Sequence, residues 1–314
     1  MDVRHVAVAG TGMMGPGIAA TFALAGRRAT IVSRAAAGAA GGVAKARSLI
    51  EILSTNGLAD PTQAKEAASR LAPSTDLEQA VRAAQLFVES IPEDLAVKQA
   101  FFTRLDKASP DAILCSNTSG ISITAIASKS TRRERILTTH FWNPPYLMPL
   151  VEVSVSDWTS APIADGVVQL LRACGKVPVL VRRDRPGQLG NRIQHAMIRE
   201  CVNIVQEGIA TAEDVDLAVK TGVGLRLPVY GVFEHADMVG LDLVKAVQDY
   251  VLPDLSTVPH AGQLHQEKVT RGELGVKAGR GFLEWTPEKA EAVRARRDAF
   301  LIQFLRWQKA GKLS

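Results

Sequence analysis

Apolar residues in the first half of the chain fall into short runs of strand length, separated by stretches with helical spacing. "HVAVAG" (5–10), "RATIVSR" (28–34), "AQLFVES" (84–90), "AILCSN" (112–117), "RILTTHFW" (135–142) and "LVEVSVS" (150–156) read as strands. Apolar runs of this length, without clean alternation, suit strands buried on both faces. Residues 15–27, 43–54, 61–71 and 95–108 read as helices; in the first, Ile18, Phe22 and Ala25 share one side. A strand, a helix and a second strand within about thirty residues call for a right-handed parallel crossover. The expectation for this half is an α/β domain, a parallel sheet with helices on both faces.

The pattern changes near residues 183–187, at "RRDRPG". Residues 186–208 form one amphipathic stretch, with Ile193, Met197, Ile198, Cys201, Val202 and Val205 at helical spacing and Gly208 as a stop. Residues 211–222 open with Thr211 as N-cap and an acidic first turn. Residues 241–252 and 287–308 are also helical in pattern. Two domains are expected: α/β over 1–185 and all-α over 186–314.

Composition narrows the function classes. The chain has 314 residues, which suggests roughly two domains, and 46% of them are hydrophobic, enough for a sizeable core. Lys+Arg 37 against Asp+Glu 32 gives a net charge of +5. The excess is spread out, which suits a small anionic substrate; no basic tail or aromatic-interleaved stripe points to nucleic acid. No apolar run approaches the ~18 residues of a membrane span, and "MDVRHVAVAG" does not read as a signal peptide, so a cytoplasmic protein is expected. Cys115, Cys174 and Cys201 are far apart without a CxxC, and the six histidines lack metal-ligand spacing. Reduced thiols and no metal follow.

"GTGMMGPG" places Gly10, Gly12 and Gly15 in the pattern G-x-G-x-x-G, directly after a strand and opening a helix. Gly10 permits the tight turn. Gly12 lets backbone approach a pyrophosphate, and Gly15 lets helix pack on strand, with the helix N-terminus facing the anion. Met13 and Met14 complete the loop. Together with the flanking β-α-β unit, this predicts a Rossmann-type dinucleotide-binding domain. The second strand ends Val32-Ser33-Arg34, and no acid occurs between Asp2 and Glu51. An acid there would accept from a ribose 2′-hydroxyl and repel a 2′-phosphate. Ser33 can donate to a phosphate and Arg34 can pair with it, so NADP is favoured over NAD. The other reading has Arg34 bordering the adenine with NAD still accepted.

"HFWNPPYLMPLVEV" (140–153) sets His140 before an Asn-Pro-Pro turn and Glu152 in an apolar run twelve residues later. They are either a catalytic pair or a buried polar contact. Taken with the loop and the all-α second half, the chain resembles the 3-hydroxyacyl-CoA dehydrogenase family. The likeness is carried by "VAVAGTGMMGPGIA", "VESIPEDLAVK", "SNTSGISIT", "HFWNPP", "LVEV", "PGQLGNR" and "GELGVKAGRGF" in order. It implies a two-domain enzyme, usually a homodimer through its helical domain, that oxidises a secondary alcohol β to a carbonyl. By resemblance, His140 is the catalytic base and acid and Glu152 its partner. Ser119 contacts the substrate oxygen, and Asn191 reaches in from the helical domain. Glu93, Lys98, Asn117 and Asn143 line the cofactor. A neutral imidazole is a suitable base near pH 7.

Two departures bear on substrate. The region where a basic helical pair would grip CoA offers only Lys45, Arg47, Lys65 and Arg70. The segment "GVGLRLPVYGVFEHADMVGLD" is longer than the usual short form and is similar to that of relatives acting on small substrates without CoA: gulonate dehydrogenase (λ-crystallin), carnitine dehydrogenases and a pyridine-ring alcohol/aldehyde dehydrogenase. Arg226 within it either binds a substrate carboxylate or covers the site. The substrate expected is a 3-hydroxyacyl or 3-oxoacyl compound, a CoA thioester ahead of a free hydroxy acid. A catalytically silent crystallin-like nucleotide binder is the alternative from another class.

Overall fold

The computed structural model describes residues 1–312; residues 313 and 314 of the expected helical domain lie outside the described residues. The chain divides into two compact units, Met1–Arg192 and the remainder from Ile193. The first unit runs β1 (His5–Ala9), α1 (Gly15–Leu24), β2 (Arg28–Val32), α2 (Ala36–Thr55), α3 (Pro61–Ser69), β3 (Leu71–Ser74), α4 (Leu77–Ala83), β4 (Leu86–Glu89), α5 (Leu95–Ala108), β5 (Ile113–Ser116), α6 (Ile123–Ala127), β6 (Ile136–Phe141), β7 (Leu150–Val155), α7 (Ala161–Ala173) and β8 (Val177–Val181). The eight strands form one sheet in the order β3-β2-β1-β4-β5-β6-β7-β8. Chain direction of travel reverses between β1 and β4, which opens a crevice at the carboxyl ends of those strands.

Local chemistry accounts for many boundaries. Asp60 caps α3 by accepting from Thr62 and Gln63 N–H, with Pro61 at the first helical position. Asp94 caps α5 through Val97 N–H. All five residues of β1 are buried, as a central strand requires. One face of the sheet packs Ile18, Phe22, Val43 and Ile50 into a core; the other packs Phe87, Phe102, Leu105 and Ile123.

The sheet departs from the expected all-parallel form at one place. β6 and β7 are antiparallel. Eight residues join them, too few for a crossover. Two strands absent from the sequence reading, β3 and β8, are the two edges of the sheet, and each contains a proline, Pro73 and Pro178. Proline is tolerated at an edge because no second neighbour needs its missing N–H. The short helices α4 and α6 and the longer α7 also lie outside that reading.

α8 (Gly190–Gln206) begins four residues later than expected, because Gly187 and Gln188 hold positive φ (75° and 52°). The second unit continues with α9 (Ala212–Thr221), α10 (Val223–Arg226), α11 (Val232–Val239), α12 (Leu241–Val251), α13 (Gln263–Thr270) and α14 (Pro287–Lys309). Thr211 caps α9 through Asp214 N–H, as its sequence predicts. Among the described residues from 193 on, Val202 and Ala290 are the only buried hydrophobic side chains. No described helix is long and apolar enough to cross a membrane.

Candidate active site

The glycine loop connects β1 to α1. Gly10 has φ 116°, and a Cβ there would stand 2.2 Å from the Ser90 carbonyl oxygen. A Cβ on Gly15 would stand 1.9 Å from the Gly10 oxygen, while Gly12 has open space around it. The first and third glycines are thus required by packing, and the second leaves backbone accessible. α1 has no side-chain cap and no acid in its first turn. Its free N–H groups and positive dipole end suit a pyrophosphate, so the residues present fit a dinucleotide. At the end of β2, Ser33 N donates to Ser74 O, and Arg34 is exposed.

The antiparallel register sets His140 directly opposite Glu152. Directly opposed residues project from the same face of a sheet. His140 Nδ1 lies 2.8 Å from Glu152 Oε2. Trp142 Nε1 donates to the same oxygen at 2.9 Å. Leu189 N and Gly190 N each donate to Oε1 at 2.8 Å. Glu152 is fully buried. Burial pushes its carboxyl up, but the bonds from His140, Gly190, Trp142 and Leu189 prevail and hold it down at about 2. Glu152 is therefore an acceptor-only carboxylate near neutral pH. Its bond to His140 selects the tautomer with the proton on Nδ1 and leaves Nε2 free as a base.

The 118–120 turn is held by Glu93. Its Oε1 accepts from Thr118 Oγ1 (2.6 Å), Ser119 N (2.9 Å) and Gly120 N (3.0 Å). Its carboxyl is lowered: burial opposes ionisation, and the Thr118 and Gly120 bonds, the Lys98 charge and the Ser119 bond outweigh it. Lys98 is buried, with its ammonium 2.6 Å from Glu89 Oε1 and 3.4 Å from Glu93 Oε2. Asn117 Oδ1 accepts from Phe141 N at 2.8 Å, tying β6 to the end of β5. Asn143 is exposed, in the turn beyond β6.

Asn191, the second residue of α8, falls in the first unit, and its Nδ2 donates to Ser119 O at 2.7 Å. Gln188 is a residue the sequence reading passed over. It is buried, and its Nε2 donates to Thr118 O at 2.8 Å while its Oε1 accepts from Ser154 Oγ at 3.2 Å. Residues 187–191 thus bind the Ser119 turn on one side and Glu152 on the other. Trp142 and the Leu189 and Gly190 amides were also missed; the "PGQLG" glycines were the available signal, since they mark close backbone approach. Met13 is exposed at the tip of the loop and Met14 half-buried beneath it.

A mostly parallel sheet with this strand order, a glycine loop shaped for a dinucleotide and a buried carboxylate–histidine pair define a nicotinamide-dependent oxidoreductase. Comparison with known proteins narrows the class. Residues 5–185 match the 3-hydroxyacyl-CoA dehydrogenase NAD binding domain, and residues 187–285 match the C-terminal domain of the same family. The chain is 33% identical over 305 residues to 5-formyl-3-hydroxy-2-methylpyridine 4-carboxylate 5-dehydrogenase of Mesorhizobium japonicum, covering 96% of each. It is 34% identical over 295 residues to human mitochondrial hydroxyacyl-coenzyme A dehydrogenase, covering 90% of this chain and 91% of that one. A crystal structure of a 5-formyl-3-hydroxy-2-methylpyridine 4-carboxylic acid 5-dehydrogenase, an NAD+ dependent dismutase, superposes with a TM-score of 0.91 at 31% identity, covering 99% of both chains. The chain belongs to the 3-hydroxyacyl-CoA dehydrogenase family. It is an enzyme, an oxidoreductase with an NAD-binding domain.

Proposed function

We propose that His140 exchanges the substrate hydroxyl proton while hydride passes between substrate carbon and nicotinamide. The observation that carries this reading is the 2.8 Å contact of His140 Nδ1 with buried Glu152. NAD(P)+, when bound, supplies the hydride acceptor. Gly10, Gly12, Met13, Met14, Gly15, Ser33 and Arg34 would hold its phosphates and adenosine end, and Glu93, Lys98, Asn117 and Asn143 would line its nicotinamide end. In oxidation His140 Nε2 takes the hydroxyl proton, and Glu152 stabilises the imidazolium. In reduction the same nitrogen returns the proton. Ser119 donates its hydroxyl to the substrate oxygen. Asn191 positions Ser119 through its bond to the carbonyl and offers its second N–H to the developing charge.

The substrate is a small anion carrying a 3-hydroxyacyl or 3-oxoacyl group. Family membership supports a CoA thioester. A free carboxylic acid is a second reading, favoured by two observations. Three of the four basic residues available to CoA phosphates are engaged within the chain: Lys45 on Gly12 O, Arg47 on Ala68 O, and Arg70 on Glu66. The pyridine-carboxylate relative also matches this chain over nearly its full length. For the cofactor, the absence of an acid at the end of β2 supports use of NADP at least as well as NAD. The domains are assigned as 1–185 for the cofactor and 186–314 for substrate and dimerisation, and three free thiols suit a cytoplasmic enzyme.

Homodimerisation belongs to this reading. Phe233, Met238 and Tyr250 are 85%, 75% and 87% exposed, in a unit with almost no buried core. A helical unit of this size gains too little from two buried side chains to hold its fold without covering that surface.

The test is a panel of acetoacetyl-CoA, a free 3-hydroxy acid and a pyridine-ring aldehyde acid, run with both nicotinamides, with His140→Ala beside the wild type. Turnover should fall by ~10²-fold or more in the variant while cofactor still binds. Near-wild-type turnover in His140→Ala removes His140 as the acid/base. Inert acetoacetyl-CoA with a free acid turned over removes the thioester.

A further inference from the structure

Four hydrogen bonds converge on Glu152, and they are not equivalent. The two backbone donors occupy Oε1, whereas His140 and Trp142 share Oε2. Trp142 stands one residue past the end of β6, and its indole reaches the same carboxylate oxygen as the His140 imidazole. Their rings are 5.8 Å apart at 50°. The indole is seated on Gly190: a Cβ there would stand 2.4 Å from Trp142 Cζ2 and 3.2 Å from two further ring carbons. Gly190 does not hold a positive φ, so backbone conformation does not call for glycine there. The glycine is needed for the indole, and the indole points its one donor at the oxygen that His140 uses.

We propose that Trp142, seated on Gly190, is a positioning residue that sets the pH at which His140 exchanges its proton. This rests on the reading of His140 and Glu152 given above. An oxygen accepting from two donors is a weaker acceptor for each. The indole therefore draws part of the Glu152 charge away from the imidazole and lowers the stabilisation of the imidazolium. It also fixes the carboxylate plane, with Oε2 toward β6 and Oε1 toward the 189–190 amides.

Among the described residues, no other ionised group bonds to His140 or to Glu152. Glu152 is the one charged partner of His140 among the described residues, and its other three donors are neutral. Val179 of β8 faces Glu152 in the sheet register. In the 182–190 segment Arg182, Arg183 and Arg185 are exposed, and Asp184 is bound to Ser122 and Thr124. From β5 the nearest bonded neighbour is neutral Asn117.

The sign follows directly. Removing the indole donor leaves Oε2 to His140 alone, so the imidazolium is held better and the ring keeps its proton to higher pH. The test follows ring titration of His140 by two-dimensional 1H–15N NMR, with its resonances assigned by their loss in His140→Ala. Trp142→Phe should raise the His140 midpoint by about half a unit to one unit. Gly190→Ala, which expels the indole, should raise it in the same direction, and adding Gly190→Ala to Trp142→Phe should change little further. An unmoved or lowered midpoint in Trp142→Phe overturns the proposal, as does full additivity of the two substitutions. Because the readout is a titration, it separates from the acid/base assignment, which stands or falls on turnover of His140→Ala. If turnover can be followed, the acid limb of the oxidation profile should move with the NMR midpoint.

Discussion

Replacing Glu152 by glutamine keeps the side chain's size and removes its charge. The carboxylate accepts four hydrogen bonds, two on each oxygen. An amide has one oxygen, so its NH2 must face either the His140 and Trp142 donors or the two backbone amides. Two bonds to a charged acceptor are lost, each worth about 1.5–3 kcal/mol. The same bonds hold the carboxyl at about 2 against an ordinary 4.5, which corresponds to about 3 kcal/mol. Because the folded state lowers this pKa, the stabilisation is present above the unfolded value and is lost as pH falls from about 4.5 toward 2. Urea denaturation of wild type and Glu152→Gln should therefore differ by about 3 kcal/mol at pH 7. The gap should narrow at pH 3. Turnover should drop by ~10²-fold or more, because the tautomer and the imidazolium both lose their partner. A stability gap that is negligible at pH 7, or equal at pH 7 and pH 3, refutes the account of Glu152 as a buried, fully bonded carboxylate.

Ser33→Asp should shift the ratio of kcat/KM values toward NAD(H) by about ten- to a hundredfold, since it adds a ribose acceptor and repels a 2′-phosphate; an unchanged ratio shows that this strand end does not read the ribose. Gln188→Leu removes the bonds to Thr118 and Ser154 and leaves buried polar groups unpaired, which should cost about 1–3 kcal/mol by urea denaturation and lower kcat more than it raises KM. Asn191→Ala should lower kcat with little change in cofactor affinity by fluorescence titration; a loss confined to cofactor affinity would assign it to the wrong ligand. Phe233→Asp with Tyr250→Asp should convert a dimer to monomers in sedimentation experiments, and a dimer that survives both places the interface elsewhere.

What the sequence determined by itself were the features with local causes. The glycine loop, the Thr211 cap and the central strands follow from steric need, capping chemistry and runs of apolar residues. Each acts within a few residues, so each is visible in one dimension. The pairing of His140 with Glu152 was visible only as a candidate. Two polar residues twelve apart meet only if the chain turns back between them, and the antiparallel register of β6 and β7 decides that. The edge strands β3 and β8 were hidden for the opposite reason: their prolines argue against a strand until an edge position makes the missing N–H harmless. The surroundings of Glu152 were illegible for a third reason. Leu189 and Gly190 contribute backbone N–H groups, which every residue but proline carries, so no residue type marks them. Gln188 sits at a positive φ that its type does not announce, and Trp142 becomes a donor to the carboxylate only because Gly190, forty-eight residues later, leaves room for the indole. Local chemistry named the cofactor loop and the acid/base candidates; only the folding of distant segments onto one carboxylate decided how they are held.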